Sequence, residues 1–201
     1  MRISVVLLAA GRSERMGEQK ALIPFGLDTL LGYQLRQLAS LDAVREIVVV
    51  TGFNPEPLRP IIAAEPKARE AHNPAFDTGK VSSIVCGLAA VDAEADAMVL
   101  LAVDQPRPAP VLRAVVDEHA ASRALITVPV HDGHRGHPVI FARALFGELQ
   151  AIDEATLGAR AVLERHAGEI NEVPCADPIV RVDVNTPADA ERARGMLGVG
   201  S

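Results

Sequence analysis

Residues 3–11 are Ile3-Ser4-Val5-Val6-Leu7-Leu8-Ala9-Ala10-Gly11, a short apolar run that passes directly into a glycine. The β-branched and aliphatic residues predict a buried strand over 3–8, and the glycine predicts a turn at its carboxyl end. Similar runs recur at 46–51, 97–103, 124–129, 138–141 and 179–183. We therefore predict a sheet whose central strands are buried on both faces.

Segments of helical length lie between these runs. They are predicted at about 29–40, 56–64, 80–91, 109–121, 142–150, 156–166 and 187–197. The last has the clearest start, because Thr186 can cap it, Pro187 suits its first turn and Asp189 places a carboxylate at the positive end of the dipole. Strands alternating with helices indicate an α/β protein with a mainly parallel sheet. No repeat or linker divides the chain, so we expect one domain over 1–201.

Composition excludes several classes of function. The 201 residues carry 20 Lys+Arg against 26 Asp+Glu, a net charge of -6, which argues against binding nucleic acid or an anionic membrane through overall charge. Aromatic residues make up only 3%, too few for stacking on single-stranded nucleic acid. Cys86 and Cys175 are far apart and suggest core residues rather than a disulfide or a zinc site. The first apolar run is too short for a signal or a membrane span, so we expect a soluble, cytoplasmic protein.

The loop after the first strand, from Gly11 to Lys20, is the strongest candidate for chemistry. Ligands of open α/β sheets bind beyond the carboxyl ends of the strands. Gly11 and Gly17 allow close backbone approach, free N–H groups can cradle phosphate oxygens, and Arg15 and Lys20 supply positive charge. The glycine spacing matches neither a Walker A loop nor GxGxxG, which argues against NAD. The alternative is a surface turn with solvated charges, but we predict phosphate binding.

Several motifs in this sequence follow the order of a known family. Ala9-Ala10-Gly11, Arg15-Met16-Gly17 and Lys20 resemble the LAAGxSxRMGxxK motif of the MobA-like nucleotidyltransferases, particularly their molybdenum cofactor cytidylyltransferase branch. The further motifs are Asn73-Pro74 with Gly79 and Ser82-Ser83, Asp104-Gln105-Pro106, Gly136-His137-Pro138, Gly158-Ala159-Arg160 and Asp183-Val184-Asn185-Thr186-Pro187. The resemblance covers nearly the whole chain. It implies a three-layer α/β/α sandwich with a Rossmann-like, mostly parallel mixed sheet, of the nucleotide-diphospho-sugar transferase type.

The resemblance also assigns roles to residues. The catalytic residues it implies are Arg15, Lys20, Asp104 and Asp183. The nucleotide-binding residues are Leu8, Ala9, Ala10, Gly11, Arg12, Ser13, Arg15, Lys20, Gly79, Ser82, Ser83 and Asp104. Asp104 follows the predicted strand 97–103 and Asp183 ends the predicted strand 179–183. Both would hold Mg²⁺ or Mn²⁺, since hard cations favour carboxylate and phosphate oxygens. Without the resemblance, each aspartate is equally well explained as a cap or turn residue, and Ser82 and Ser83 as helix caps.

The acceptor side is assigned in the same way. The acceptor-binding residues are Gln105, Pro106, Arg135, Gly136, His137, Arg160 and Asn185. Family members often carry Gly-Met-Ser-Ser-Ser where this chain has Gly79-Lys80-Val81-Ser82-Ser83, which is a departure near the base site. His131, His134 and His137 have a spacing that a zinc site could use, but the glycines between them predict a loop, and a purely structural loop is the alternative.

The function implied is the transfer of CMP from CTP to the phosphate of molybdopterin or molybdenum cofactor, with release of pyrophosphate. Ala9-Ala10-Gly11 favours CTP, because the guanylyl branch tends to Ala-Gly-Gly and the Ala10 methyl could narrow the base site. No Ser-His-Asp or Cys-His arrangement suggests a covalent intermediate. The alternatives are a GTP-using molybdopterin guanylyltransferase, a sugar-phosphate nucleotidyltransferase, and a non-catalytic nucleotide-binding or cofactor-delivery module. A molybdoenzyme would receive the product.

Overall fold

The computed structural model describes residues 1–154 and 158–200, except for the side chain of Arg15. Its strands are β1 (Ile3–Leu8), β2 (Pro24–Phe25), β3 (Asp28–Thr29), β4 (Val44–Thr51), β5 (Ala68–His72), β6 (Ala97–Ala102), β7 (Ile126–His131), β8 (His134–Arg135), β9 (Val139–Ala142) and β10 (Ile170–Pro174). Its α-helices are α1 (Leu30–Ala39), α2 (Arg59–Ala63), α3 (Lys80–Ala89), α4 (Ala109–Ser122), α5 (Phe146–Gln150), α6 (Ala159–Arg165) and α7 (Pro187–Leu197).

The main sheet is mixed and mostly parallel. Its order is β10-β7-β9-β6-β1-β4-β5, with β8 paired to β7. Strand β9 runs antiparallel to both β6 and β7, whereas β1 is parallel to its two neighbours, β4 and β6. The carboxyl ends of β1 and β6 therefore lie side by side, Leu8 opposite Ala102, so the segments that follow these two strands emerge at the same edge.

Alternate side chains of β1 pack on opposite faces of the sheet. Val5 and Leu7 belong to a core with α1, α2, α4 and α7, whereas Val6 and Leu8 belong to a second core with α3, α5 and α6. Burying both faces of the strand explains its continuous apolar run. The result is the three-layer α/β/α sandwich that the family resemblance implies. Among the described residues, no helix combines the length and apolar character needed to cross a lipid bilayer.

The helix predictions hold in type, and their bounds differ by a few residues. Thr186 caps α7 by accepting a hydrogen bond from the Asp189 amide, and the Asp189 carboxylate accepts one from the Thr186 amide in return. The segments predicted at 56–64 and 142–150 each begin with a 3₁₀ turn that runs into a short α-helix. Residues 156 and 157 of the predicted helix 156–166 lie outside the described residues, and the rest contains α6.

The strand predicted at 179–183 is wrong. Residues 178–181 form a 3₁₀ turn instead, because Asp177 accepts a hydrogen bond from the Ile179 amide and Pro178 favours the first turn of a helix. The apolar residues that suggested a strand, Ile179 and Val180, are fully buried within this turn. This difference matters for the site, because Asp183 follows a turn instead of ending a strand.

Two edge strands, β5 and β10, were not predicted. Strand β5 is Ala-Arg-Glu-Ala-His, a charged sequence stabilised by pairing with β4 and by ion pairs of Arg69 with Glu46 and of Glu70 with Arg59. Strand β10 ends on Pro174, which an edge strand tolerates. Both strands depend on partners from elsewhere in the chain, which a local pattern does not contain.

Candidate functional site

The loop after β1 has an unusual local backbone that shapes the candidate site. Ser13 adopts a left-handed conformation with φ of 59°, and Gly17 another with φ of 74°. The Ser13 hydroxyl accepts a hydrogen bond of 3.0 Å from the Lys20 amide, which ties the two ends of the loop together. A 3₁₀ turn at Glu14–Met16 lies between them. The loop therefore curls back on itself beside the end of β1.

A cleft of about 660 Å³ opens at this edge of the sheet. One wall is the loop from Leu8 to Glu14 with Gln19 to Ala21, and another is the beginning of α3 with the residues before it. The floor includes residues 102–104, from the last residue of β6 onwards. Ten of the predicted nucleotide-binding residues line it: Leu8, Ala9, Ala10, Gly11, Arg12, Ser13, Lys20, Gly79, Ser83 and Asp104. The side chain of Arg15 lies outside the part of the structure that is described.

Lys20 is the central cation of the cleft. Its side chain is only 11% exposed, and its Nζ donates hydrogen bonds of 2.8 Å to Oδ2 of Asp104 and 2.8 Å to Oδ1 of Asn185. These three residues come from the loop after β1, the segment after β6 and the segment before α7. The contact therefore joins two predicted catalytic residues with a predicted acceptor-side residue.

Arg12 closes one side of the cleft. Its guanidinium forms a two-pronged ion pair with Asp77, at 3.0 and 2.6 Å, and lies over the rings of Phe53 and Phe76 at 5.1 and 5.3 Å from their centroids. This pairing raises the pKa of Arg12 and lowers that of Asp77. Arg12 is thereby held by both charge and aromatic contact, and Phe76 forms part of the cleft wall.

The first turn of α3 forms the opposite wall. Asn73 donates hydrogen bonds to the hydroxyls of Ser82 and Ser83, at 2.9 and 3.0 Å. Ser82 donates in turn to carbonyls before the helix, so its hydroxyl serves the local structure and does not line the cleft. The carboxylate of Glu154 accepts a 2.6 Å hydrogen bond from the Val81 amide. Gly79 has φ of 128°, and a side chain there would collide with Glu154.

A backbone hydrogen bond brings the segment of Asp183 alongside Asp104. The amide of Val184 donates a 2.7 Å hydrogen bond to the carbonyl of Asp104, and Asp183 itself is exposed. The negative charges of Asp183 and Asp104 both act on Arg107, raising its pKa against the larger effect of burial, which lowers the pKa to about 10. Two carboxylates thus lie around one buried cation, although Asp183 is not among the cleft-lining residues.

Arg107 is a functional candidate that the sequence analysis missed. Its side chain is fully buried, and it donates four hydrogen bonds of 2.9–3.0 Å, to the carbonyls of Pro106, His137, Val180 and Val182. It thereby fixes the loop after β6, the Gly136-His137-Pro138 loop and the turn before Asp183. An arginine in a proline-rich segment carries no local signal for burial, so only its tertiary contacts show this role.

His137 is held neutral. Burial lowers its pKa to about 4, and the positive charges of Arg107 and Lys80 contribute in the same direction. Its Nδ1 is buried without a hydrogen-bond partner among the described residues. A charge on Lys80, which lines the cleft, acts on His137, so this predicted acceptor-side residue lies within electrostatic reach of the cleft.

The other predicted acceptor-binding residues have structural partners. Gln105 is buried and its side chain accepts a hydrogen bond from the Ala102 amide, and Pro106 and Gly136 are also buried; none of these three residues lines the cleft. Arg135 pairs with Glu172, and Arg160 pairs with Glu164 along α6. His131 and His134 each contact a backbone carbonyl, which favours the structural explanation of the histidine loop.

The donor atoms suit a divalent cation that arrives with phosphate. Within the described residues, no group of three or more His, Cys, Asp or Glu side chains could hold a metal ion. Asp104 is only 26% exposed and already has an ammonium group at 2.8 Å. Mg²⁺ commonly binds one or two carboxylates and completes its shell with water and substrate phosphates. Asp104, which lines the cleft, therefore has the chemistry to hold such an ion if a polyphosphate supplies further oxygens.

The fold and cleft have clear relatives among known proteins. The chain is 26% identical over 187 residues to the molybdenum cofactor cytidylyltransferase of Escherichia coli K12, covering 93% of each chain. It is 26% identical over 202 residues to a probable molybdenum cofactor guanylyltransferase of Pelotomaculum thermopropionicum, covering 95% of this chain and 91% of that protein. The crystal structure of Rv0371c from Mycobacterium tuberculosis H37Rv matches with a TM-score of 0.80 and 27% identity, covering 97% and 98% of the two chains. Rv0371c has also been solved as a manganese complex.

The α/β/α sandwich and its cleft at the strand ends define a nucleotidyltransferase of the nucleotide-diphospho-sugar transferase fold, as the sequence predicts. Residues 5–170 match the model of the MobA-like NTP transferase domain. The chain belongs to this family.

Proposed function

We propose that this protein, as a single domain over 1–201, transfers CMP from CTP to the phosphate of a molybdopterin-type acceptor and releases pyrophosphate. The observation that carries the proposal is the contact between Lys20 and Asp104 at 2.8 Å in the cleft. It brings together a cation for a polyphosphate and a carboxylate for a divalent metal. Phosphoryl-group chemistry depends mainly on such charge neutralisation and on positioning.

The step needs no covalent intermediate. An oxygen of the acceptor phosphate forms a bond to the α-phosphorus of CTP, and the bond from that phosphorus to the oxygen bridging to the β-phosphorus breaks. Pyrophosphate leaves with the bonding electron pair. Because the second pKa of a phosphomonoester is near 6, the attacking group is largely dianionic at pH 7 and no strong base is required. In-line positioning and charge compensation are what the protein supplies.

The cleft residues divide between these tasks. Backbone N–H groups from Ala10 to Ser13, with Arg15 and Lys20, would hold the triphosphate, and Gly79 with Ser83 would face the base and ribose. Asp104 and Asp183 would hold Mg²⁺ or Mn²⁺, which when bound offsets negative charge on the phosphates. Asn185 keeps Lys20 in place through its 2.8 Å hydrogen bond.

On the acceptor side the proposed residues act in two ways. Gln105, Pro106 and Gly136 are buried and would support the acceptor side from within the protein, and His137 offers a neutral imidazole. Arg135 and Arg160 would have to leave Glu172 and Glu164 to meet an acceptor phosphate. Both pairs are exposed, and exposed ion pairs are weak enough to exchange for a dianion.

CTP is favoured over GTP by the residue at position 10. Ala10 is 6% exposed and lines the cleft, where its methyl group would reduce the space for a purine. The named activity of the Escherichia coli relative points the same way. GTP is the second candidate, because the Pelotomaculum relative, a probable guanylyltransferase, has the same 26% identity. We further propose that the protein acts in the cytoplasm and passes its product to a molybdoenzyme.

Pyrophosphate release tests the proposal. The purified protein is incubated with each of the four nucleoside triphosphates, with Mg²⁺ or Mn²⁺, and with molybdenum cofactor or metal-free molybdopterin as acceptor. We expect release with CTP and a divalent metal. Release with GTP alone would favour a guanylyltransferase, and release only with a sugar phosphate would favour that class of acceptor. Binding of CTP without release for any acceptor would indicate a non-catalytic module.

A further inference from the structure

The charged side chains that line the cleft are not equally available to a ligand. The cations are Arg12, Lys20 and Lys80, and the carboxylates are Glu14, Asp77 and Asp104. Arg12 is paired with Asp77 at 2.6 Å, and Lys20 with Asp104 at 2.8 Å. Within residues 1–154 and 158–200, Lys80 forms no ion pair at 4 Å or less. Among the cleft cations whose side chains are described, Lys80 is therefore the one that is not paired with a carboxylate.

The surroundings of Lys80 explain why it remains unpaired. It begins α3 and is exposed, so its ammonium group keeps its water. The nearby carboxylate of Glu154 is engaged by the Val81 amide at 2.6 Å. The charge of Lys80 nevertheless acts across to His137, lowering its pKa together with burial and Arg107. Lys80 thus contributes positive electrostatic potential between the cleft and the Gly136-His137-Pro138 loop.

We propose that Lys80 binds a phosphate group of one of the two anionic substrates. The inference rests on the proposed function, because both CTP and the acceptor carry phosphate. Arg12 and Lys20 each have a carboxylate that partly neutralises their charge, whereas Lys80 offers its full charge to an incoming phosphate and gives up only water. Charge-assisted hydrogen bonds to phosphate are among the strong ones, and a lysine supplies them as a flexible point charge. Where family members often carry methionine, this chain therefore adds a substrate contact.

The substitution Lys80→Met tests this, because it removes the charge at nearly constant side-chain length and leaves an exposed helix position intact. The matched control is Arg45→Met, an equal change of charge on an exposed residue at the amino end of β4, away from the cleft. Isothermal titration with inorganic tripolyphosphate measures phosphate binding without turnover. We expect the Kd to rise about tenfold in Lys80→Met and to stay within twofold in Arg45→Met.

Titrations with CTP and with the acceptor identify which substrate Lys80 binds, since Lys80→Met should raise the Kd of that substrate only. Equal Kd values in wild type and Lys80→Met for tripolyphosphate, CTP and acceptor would overturn the proposal, as would a wild-type protein that binds none of them. Failure of the proposed function gives a different result. Wild type would then release no pyrophosphate, although Lys80→Met would still bind tripolyphosphate more weakly than wild type does.

Discussion

The Nζ of Lys20 lies 2.8 Å from Oδ2 of Asp104 and 2.8 Å from Oδ1 of Asn185, so one ammonium group connects three segments that are far apart in sequence. A divalent metal on Asp104 would bind the same carboxylate, and its positive charge would repel the ammonium group of Lys20. Lys20 and the metal therefore compete for Asp104 until a polyphosphate gives the lysine another anionic partner. This relationship leads to two predictions with opposite signs for one substitution.

Lys20→Met should lower kcat/KM for CTP by roughly 10²- to 10³-fold, because a preorganised cation at the reacting phosphates is lost. In the absence of nucleotide, the same variant should bind Mn²⁺ more tightly than wild type, since Asp104 no longer pairs with an ammonium group. Steady-state kinetics and electron paramagnetic resonance of Mn²⁺ measure the two effects. Unchanged kinetics would reject a phosphate role for Lys20, and weaker Mn²⁺ binding would reject the competition.

Asp104→Asn should reduce turnover by at least about 10²-fold, because it removes a metal-ligating charge while keeping a side chain that can contact Lys20. The fold should be intact, since Asp104 is partly exposed and its backbone carbonyl still accepts the Val184 amide. Activity at saturating Mg²⁺ and Mn²⁺, with the melting temperature as control, checks this. A variant with wild-type kcat and wild-type metal dependence would remove Asp104 from the metal site.

Arg107→Lys should destabilise the protein by about 2–4 kcal/mol, because lysine keeps the charge but cannot reproduce four hydrogen bonds to buried carbonyls. Denaturant unfolding measures the loss as a lower midpoint. The control is Arg113→Lys on α4, where an exposed arginine makes one 3.4 Å hydrogen bond to the Ser40 carbonyl and should cost less than about 0.5 kcal/mol. Equal midpoints for the two variants would contradict the clamping role of Arg107.

The free energy of unfolding should fall as the pH drops from 6.5 to about 4, because the pKa of His137 is lowered in the folded protein. Burial lowers its pKa from 6.5 to about 4, so between these values the unfolded chain binds a proton that the folded protein does not. Unfolding therefore becomes easier below pH 6.5, by up to about 3 kcal/mol at pH 4, and this contribution levels off at lower pH.

His137→Gln provides the control for this pH dependence. Its free energy of unfolding, measured with denaturant from pH 7 to pH 4, should decline less steeply than that of wild type. Part of the slope should remain, because His119 is also buried with a lowered pKa. Parallel curves for wild type and His137→Gln would show that His137 does not contribute.

Local patterns predicted most of the architecture. Buried parallel strands such as β1, β4 and β6 need apolar residues on both faces, so their type is visible in any short window. The start of α7 was equally clear, because Thr186 and Asp189 act within one turn. The edge strands β5 and β10 have no such pattern, because they depend on pairing with β4 and β7. The apolar composition of residues 178–181 predicts a strand, but capping by Asp177 makes this segment a 3₁₀ turn.

Some features of the candidate site could likewise be predicted from the sequence, and others could not. The family, the glycine-containing loop and the presence of Lys20 and Asp104 near it could be predicted from the sequence, because these depend on motif order, backbone flexibility and charge. Only the tertiary structure decided that Lys20 pairs with Asp104 and Asn185, that Arg107 is buried among four carbonyls, and that Lys80 has no carboxylate partner among the described residues. Which charge meets which is fixed by segments brought together from distant parts of the chain, and Coulombic partners are chosen by distance in space and not by separation in sequence.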